Sequence, residues 1–150
     1  SFNKVTRSIP SMLNYEVQSN AGSMFNTPPV FPVYTVLLNL RWIAKKGGLD
    51  GVGAQNSEKA ALIYDEIDRN PLFSGFANSE DRSSMNATFN LNDESHTELF
   101  DTLWNQANIS GLKGHRSVGG YRASIYNALP IQSIQVLVDC MQQLEKKVIQ

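Results

Sequence analysis

Apolar residues recur at helical spacing as Val30, Val33, Tyr34, Leu37, Leu38 and Trp42, between Thr27-Pro28-Pro29 and Lys45-Lys46-Gly47-Gly48. A threonine hydroxyl can cap a first turn, proline suits a first-turn position, and lysines followed by glycine mark a helix end. The apolar face is wide, which predicts packing on more than one neighbour. A second helix is expected from about Asn56-Ser57, with Ala60, Ala61, Tyr64 and Ile67 on its inner face, stopping before Asn70-Pro71. Met85, Ala87, Phe89 and Leu91 alternate with Asn86, Thr88 and Asn90, the period of a half-buried strand. Helical spacing returns from about Glu94 to Gln106, where Leu99, Phe100, Leu103, Trp104 and Ala107 share a face. Tyr121, Ala123 and Ile125 alternate with Arg122, Ser124 and Tyr126, predicting another strand. Pro130 then opens a last helix with Ile134, Leu137, Val138, Met141 and Leu144 inward. Residues 1–28 show no sustained period and read as irregular chain. The order of elements predicts a small two-layer α/β unit from about residue 47 onward.

The chain of 150 residues is long enough for a real core, and 41% hydrophobic with 18% charged residues is ordinary for a globular domain. Thirteen basic against fourteen acidic residues disfavour a nucleic-acid binder, and no aromatics interleave the arginines as a single-strand platform would need. No stretch approaches the roughly 20 apolar residues of a membrane span. Cys140 is the single cysteine, set among Leu137, Val138 and Met141; it is expected to be a buried, inert thiol in a cytoplasmic setting. Trp42 and Trp104 read as core or domain contacts. His96 reads as a solvated residue outside any metal-ligand spacing, so no metal is expected. Arg82 is expected to pair with an acid and anchor the Met85 strand.

Candidate chemistry concentrates at one place. Glycines 111, 114, 119 and 120 crowd a short region that also carries His115, Arg116 and Arg122. Glycine permits left-handed turns and close backbone approach, and arginine forks bind carboxylate or phosphate in a bidentate way. The spacing favours two binding points, His115 and Arg116 in the loop and Arg122 on the following strand. A ligand anionic at both ends fits such a layout. Glycine-rich loops with arginine also simply cap helices or pair surface acids, so residue types alone leave both readings open.

The wording of four ordered segments goes further. Leu112-Lys113-Gly114-His115-Arg116-Ser117-Val118-Gly119-Gly120 followed by Tyr121-Arg122-Ala123-Ser124-Ile125-Tyr126-Asn127-Ala128 resembles the C-terminal signature of phosphoserine aminotransferases. Ser23-Met24-Phe25-Asn26-Thr27-Pro28-Pro29, the run from Trp42 to Gly48, and Arg82-Ser83-Ser84-Met85-Asn86 match further segments of that family in the same order. The resemblance covers essentially the whole chain. It implies the C-terminal portion of a fold-type I transaminase dependent on pyridoxal phosphate: residues 1–46 the end of the large cofactor-binding domain with a connecting helix, residues 47–150 the small α/β two-layer domain.

Such enzymes move an amino group between L-glutamate and 3-phosphohydroxypyruvate, giving O-phospho-L-serine and 2-oxoglutarate in serine biosynthesis, with a link to pyridoxine biosynthesis. By the resemblance, Arg122 holds the substrate α-carboxylate, and His115 and Arg116 hold the distal phosphate or the glutamate side-chain carboxylate. Asn26 and Thr27 reach the cofactor phosphate of the neighbouring subunit in a cytoplasmic homodimer, with neither nucleic acid nor membrane as partner. The lysine that forms the Schiff base lies upstream of Asn26 in the family, so this chain is expected to hold no catalytic residue and to be inactive alone. Lys59 in Gln55-Asn56-Ser57-Glu58-Lys59 is expected to be a solvated surface lysine. The competing reading is a non-catalytic phosphate- or carboxylate-binding or interaction domain.

Overall fold

A computed structural model of the chain describes residues 7–117 and 119–149; Val118 of the glycine-rich motif and residues 1–6 lie outside the described residues. The chain divides into two compact units, Ser1–Lys45 and Lys46–Gln150.

The first unit is not wholly irregular before residue 28. A 3-10 turn at Ser11–Leu13 leads into a short helix, α1 (Tyr15–Asn20), whose first turn is capped by Asn14 Oδ1 accepting from the Glu16 N–H at 2.9 Å. Such a cap satisfies an orphan donor without any apolar periodicity, which is why the pattern missed it. Helix α2 (Val30–Lys45) follows as expected, but none of its residues is buried. Val30 and Phe31 are 67% and 77% exposed, and Val33, Tyr34, Val36 and Leu40 are also exposed. Trp42 is half-buried. The wide apolar face is therefore present and uncovered within this unit.

The second unit opens earlier than its periodicity suggests. Helix α3 runs Gly48–Arg69, eight residues upstream of the predicted start. Gly-Gly-Leu-Asp-Gly-Val-Gly reads as a breaker, yet the glycines here serve close packing. Gly47 sits at φ 90° as the N-terminal cap, and a Cβ on Gly51 would come within 2.1 Å of the Lys46 carbonyl oxygen. Helix propensity is lost at these positions, and burial of Val52, Ala60 and Ile63 along the same helix outweighs it.

Three antiparallel strands follow in the order β1 (Phe73–Gly75), β2 (Asn86–Leu91) and β3 (Tyr121–Ser124). Strand β1 was not foreseen, because three residues carry no readable period. Its register, Phe73 opposite Leu91 and Gly75 opposite Phe89, puts Phe73 on the buried face. β2 and β3 pair Ala87 with Ala123, Thr88 with Arg122 and Phe89 with Tyr121. Helices α4 (Thr97–Gln106) and α5 (Ile131–Ile149) occupy the expected places, α4 entered through a 3-10 turn at Glu94–His96.

All three helices contribute to one core with a single face of the sheet. Ile63, Ile67, Phe100, Ile134, Met141 and Leu144 pack against Phe73, Ala87, Phe89 and Ala123. Four rings form its centre: Phe73 and Phe89 meet edge to face at 5.7 Å, Phe89 stacks on Tyr121 at 5.4 Å, and Phe100 meets Tyr121 edge to face at 5.0 Å. Cys140 is buried against the Leu103 carbonyl, and burial together with the Asp139 charge pushes its thiol up. The opposite face of the sheet carries Asn86, Thr88, Asn90, Arg122 and Ser124, half-buried or exposed. A sheet with helices on one face and polar side chains on the other leaves that second face open for a ligand.

Lys59 overturns its expectation as a solvated residue. It is 2% exposed, and its ammonium donates to the carbonyl oxygens of Ile125 (3.1 Å), Tyr126 (2.7 Å) and Leu129 (3.2 Å). Burial pushes it below the ordinary lysine value, while three carbonyl acceptors favour the charged form. It clamps the loop between β3 and α5 onto α3, helped by Asn56, whose amide donates to Asn127 at 2.7 Å. Arg82 does pair with an acid. It makes a fork to Asp68 at 2.6 and 2.7 Å and lies over the Tyr64 ring at 4.6 Å, anchoring the entry to β2.

Candidate anion-binding site

The glycine-rich segment folds as a tight hairpin whose incoming arm runs along the free edge of β3. Lys113 and Tyr121 bridge across its stem, the Arg122 N–H donates to the Leu112 carbonyl at 2.7 Å, and the Gly114 N–H donates to Gly120 at 2.8 Å. The Gly119 N–H donates to the His115 carbonyl at 2.8 Å, closing the loop. The glycines are explained by this closure. A Cβ on Gly114 would lie 2.1 Å from the Gly119 oxygen, and one on Gly120 would lie 2.0 Å from Asn90 Oδ1. Gly119 and Gly120 also hold φ of 79° and 63°. The N–H groups of Gly114 and Gly119 are thus spent inside the hairpin.

His115 is held by Ser117. The Ser117 N–H donates to Nδ1 at 3.3 Å and the Ser117 hydroxyl lies 2.6 Å from the same nitrogen. With Nδ1 accepting from the backbone N–H, the ring proton of the neutral form is assigned to Nε2, which is left to donate to a ligand. His115 and Arg122 line a shared hollow of about 220 Å³ with Phe76, Thr88, Asn90, Gly114 and Gly119. Phe76, 61% exposed, supplies an apolar wall.

Arg116 stands in the turn of the loop, exposed, and does not line this hollow. Neither Arg116 nor Arg122 has an ion-pair partner among the described residues, whereas Lys113 in the same segment is paired with Asp101. Two guanidinium groups and an imidazole are therefore left to meet an external anion. Arg122 also lines a second hollow of about 340 Å³, with Asn108, Ser110, Ser124 and Ser133 as its other polar groups, but His115 does not reach it, and only the first hollow brings an arginine and the imidazole together. The chemistry favours the first.

Asn26 and Thr27 belong to the other unit, exposed just ahead of α2; the Asn26 amide donates to Met12 Sδ at 3.4 Å. They offer an exposed amide and a hydroxyl, but at the start of α2 the Val30 and Val33 N–H groups donate to the Pro28 and Pro29 carbonyls and Pro32 has no N–H, so few helix donors stand beside them. His96, expected to be solvated, is half-buried with its Nε2 3.8 Å from Asp93 Oδ2. Among the described residues no cluster of His, Cys, Asp and Glu could hold a metal, and no helix is long and apolar enough to cross a membrane. Thr88, Asn90 and Phe76 were missed as site residues. Only the alternation of β2 could have pointed to Thr88 and Asn90, as the polar face of a strand paired with Arg122.

The chain thus presents a helix-backed antiparallel sheet with Arg122 on its free face and Arg116 in the adjoining hairpin. The profile described as Aminotransferase class-V matches residues 5–137, and the chain belongs to that family. Its relatives include the phosphoserine aminotransferases of Flavobacterium johnsoniae, 65% identical over 142 residues, and of Flavobacterium psychrophilum, 61% identical over 145 residues. These alignments cover 95% and 97% of this chain but 40% and 41% of the relatives. Among solved structures, the phosphoserine aminotransferase from Bacillus circulans subsp. alkalophilus superposes with a TM-score of 0.83 at 44% identity, covering 93% of this chain and 39% of that one. A phosphoserine aminotransferase from Trichomonas vaginalis, in a pyridoxal-phosphate-bound structure, gives 0.78 at 38% identity, covering 92% and 40%. The chain thus spans about two-fifths of the length of its relatives.

Proposed function

We propose that this chain is the C-terminal portion of a phosphoserine aminotransferase, passing an amino group between L-glutamate and 3-phosphohydroxypyruvate to give O-phospho-L-serine and 2-oxoglutarate. The observation that carries the reading is the convergence of His115 and Arg122 on one hollow, with Arg116 beside it and both arginines free of ion-pair partners among the described residues. A dicarboxylate and a phosphorylated amino acid share one feature, an anion at each end, and this site offers cations at two places.

The roles follow from the groups. Arg122 lies on a strand whose neighbours are fixed by pairing, so its guanidinium is the better-placed fork for the α-carboxylate common to both substrates. His115, donating through Nε2, and Arg116 take the distal phosphate or side-chain carboxylate. Pyridoxal phosphate supplies the electron sink for the amino transfer when bound. Asn26 and Thr27 fit its phosphate as donors in a homodimer that shares the site between subunits. The exposed apolar face of α2 supports reading residues 1–46 as the end of a larger domain with a connecting helix, and residues 47–150 as the small domain. A cytoplasmic setting goes with this biosynthetic role.

The test is kinetic, in the full-length enzyme. Arg122→Ala lowers kcat/KM for glutamate and O-phospho-L-serine alike, by about 3 kcal/mol each, as for a lost bidentate ion pair. Arg116→Ala harms the phosphorylated substrate more than an unphosphorylated analogue. Equal losses on both substrates in Arg116→Ala would remove it from the phosphate site, and an unaffected Arg122→Ala would remove the reading altogether.

A further inference from the structure

One carboxylate at the base of the hairpin is used by neither substrate anion. Asp101, on α4, has a side chain 19% exposed. Its Oδ2 pairs with Lys113 Nζ, and its Oδ1 accepts from Tyr121 OH at 3.1 Å and Trp104 Nε1 at 3.0 Å. Lys113 and Tyr121 are the bridge pair of the hairpin stem, immediately outside the Gly114–Gly120 hydrogen bond. A single side chain therefore holds both strands of the stem at the rung beneath the loop. Tyr121 is fixed a second time by its stacking on Phe89, and it precedes Arg122 by one residue. Lys113 precedes His115 by two.

The charge arrangement adds a second effect. Among the described residues, Lys113 is the basic residue of this segment that pairs with an acid, which leaves the positive charge at the hollow to Arg122, with Arg116 in the turn beyond it. Burial works to raise the Asp101 carboxyl, but hydrogen bonds from Lys113, Trp104 and Tyr121 and the Lys113 charge outweigh it and hold it below the ordinary carboxylate range. The carboxylate is ionised wherever the enzyme works near neutrality.

We propose that Asp101 is a positioning residue for the anion site, setting the separation between the loop end, His115 and Arg116, and the strand end, Arg122, by holding Lys113 and Tyr121 on one carboxylate. The inference rests on the substrate reading given above and deepens it: the distance between the two anionic groups of the ligand is set from outside the site. A rigid stem keeps the ends apart by one length, and a ligand of another length loses one contact.

The experiment uses the full-length holoenzyme. Asp101→Asn keeps the size and one acceptor but places an amide against Lys113. It is expected to raise KM for O-phospho-L-serine about tenfold, with kcat within about threefold, and to narrow the preference over the homologue one methylene longer. Lys113→Met is expected to give a similar rise, the double variant little more, and Lys113→Arg, which keeps the ion pair, to stay within about threefold of wild type. A KM unchanged in Asp101→Asn while the melting temperature falls would make Asp101 a residue of the fold and overturn the proposal. A fall in KM would overturn it too, since Lys113 would then serve the ligand better unpaired. Should Asp101→Asn not fold, Tyr121→Phe and Lys113→Met decide the matter, and unchanged KM in both overturns it. Wild type that fails to turn over O-phospho-L-serine would instead sink the transaminase reading. In that case inorganic phosphate bound as tightly by Asp101→Asn as by wild type would overturn the positioning role, and weaker binding would support it.

Discussion

Lys59→Met tests how the segment after β3 is held. The methionine replaces the stem of the lysine at nearly equal length and removes only the ammonium. Three acceptors are left without their donor, the carbonyls of Ile125, Tyr126 and Leu129. Hydrogen bonds from a charged donor contribute about 1.5–3 kcal/mol each, but water can reclaim a carbonyl at the surface. Tyr126 is exposed and Leu129 half-buried, so their carbonyls lose about 0.5 kcal/mol each after rehydration. Ile125 is 1% exposed, and its carbonyl carries the full loss of about 2–3 kcal/mol. Methionine avoids the cost of burying a cation, which returns about 1 kcal/mol. The net expectation is about 2–3 kcal/mol of destabilisation. For a unit of this size it lowers the melting temperature by roughly 10–20 °C. Urea and thermal unfolding followed by circular dichroism measure it, with an unchanged urea slope showing that the native state is still compact. A loss under about 0.5 kcal/mol would show that the three contacts are not made in solution, and the clamp would have to be given up.

Gly120→Ala is expected to distort the hairpin, because its Cβ would meet Asn90 Oδ1 at 2.0 Å and the Phe89 carbonyl at 2.9 Å at a φ of 63°. Stability should fall by about 2 kcal/mol or more, and weaker phosphate binding should accompany it; an alanine variant as stable as wild type and binding as well would refute the close approach. Acid stability follows from Asp68 and Asp101. The hydrogen bond from Arg82 holds the Asp68 carboxyl below its ordinary value near 3.8, against the effect of burial, and Asp101 is held low as described above. Groups depressed in the folded state stabilise it above the unfolded value and lose that contribution as pH falls through the folded one. The urea midpoint should therefore hold between pH 7 and 5 as far as these groups are concerned, and drop below about pH 4. A midpoint unchanged at pH 3 would mean that neither pair contributes.

Much of the frame was legible in the residues because it depends on short-range period. The alternation of Met85 to Leu91 put Ala87 and Phe89 inward and Thr88 and Asn90 outward, and the structure keeps that division. The spacing from Ile134 to Leu144 set the buried face of α5, and Leu99 to Trp104 set that of α4. The glycine, histidine and arginine content of residues 111–122 marked a candidate anion site before any fold was known. These are local facts, decided by which side of a helix or strand a residue faces.

What the tertiary structure decided was every property that depends on a neighbour distant in sequence. Lys59 reads as polar surface in its own helix, and only the loop 66 to 70 residues later supplies the carbonyls that make its burial tolerable. Strand β1 is too short to show a period and exists because β2 offers it a ladder. The start of α3 looked like a break because glycine has low helix propensity, and it forms because the folded chain buries Val52. In the anion site, residue types singled out His115, Arg116 and Arg122 but could not say whether they were already paired with acids. Asp101, 12 residues before Lys113 and 20 before Tyr121, pairs with Lys113 instead and ties down the stem that presents those three. Composition and period name the groups that can bind an anion; which of them are left free to do so is settled by charges and carbonyls that only the folded chain brings near.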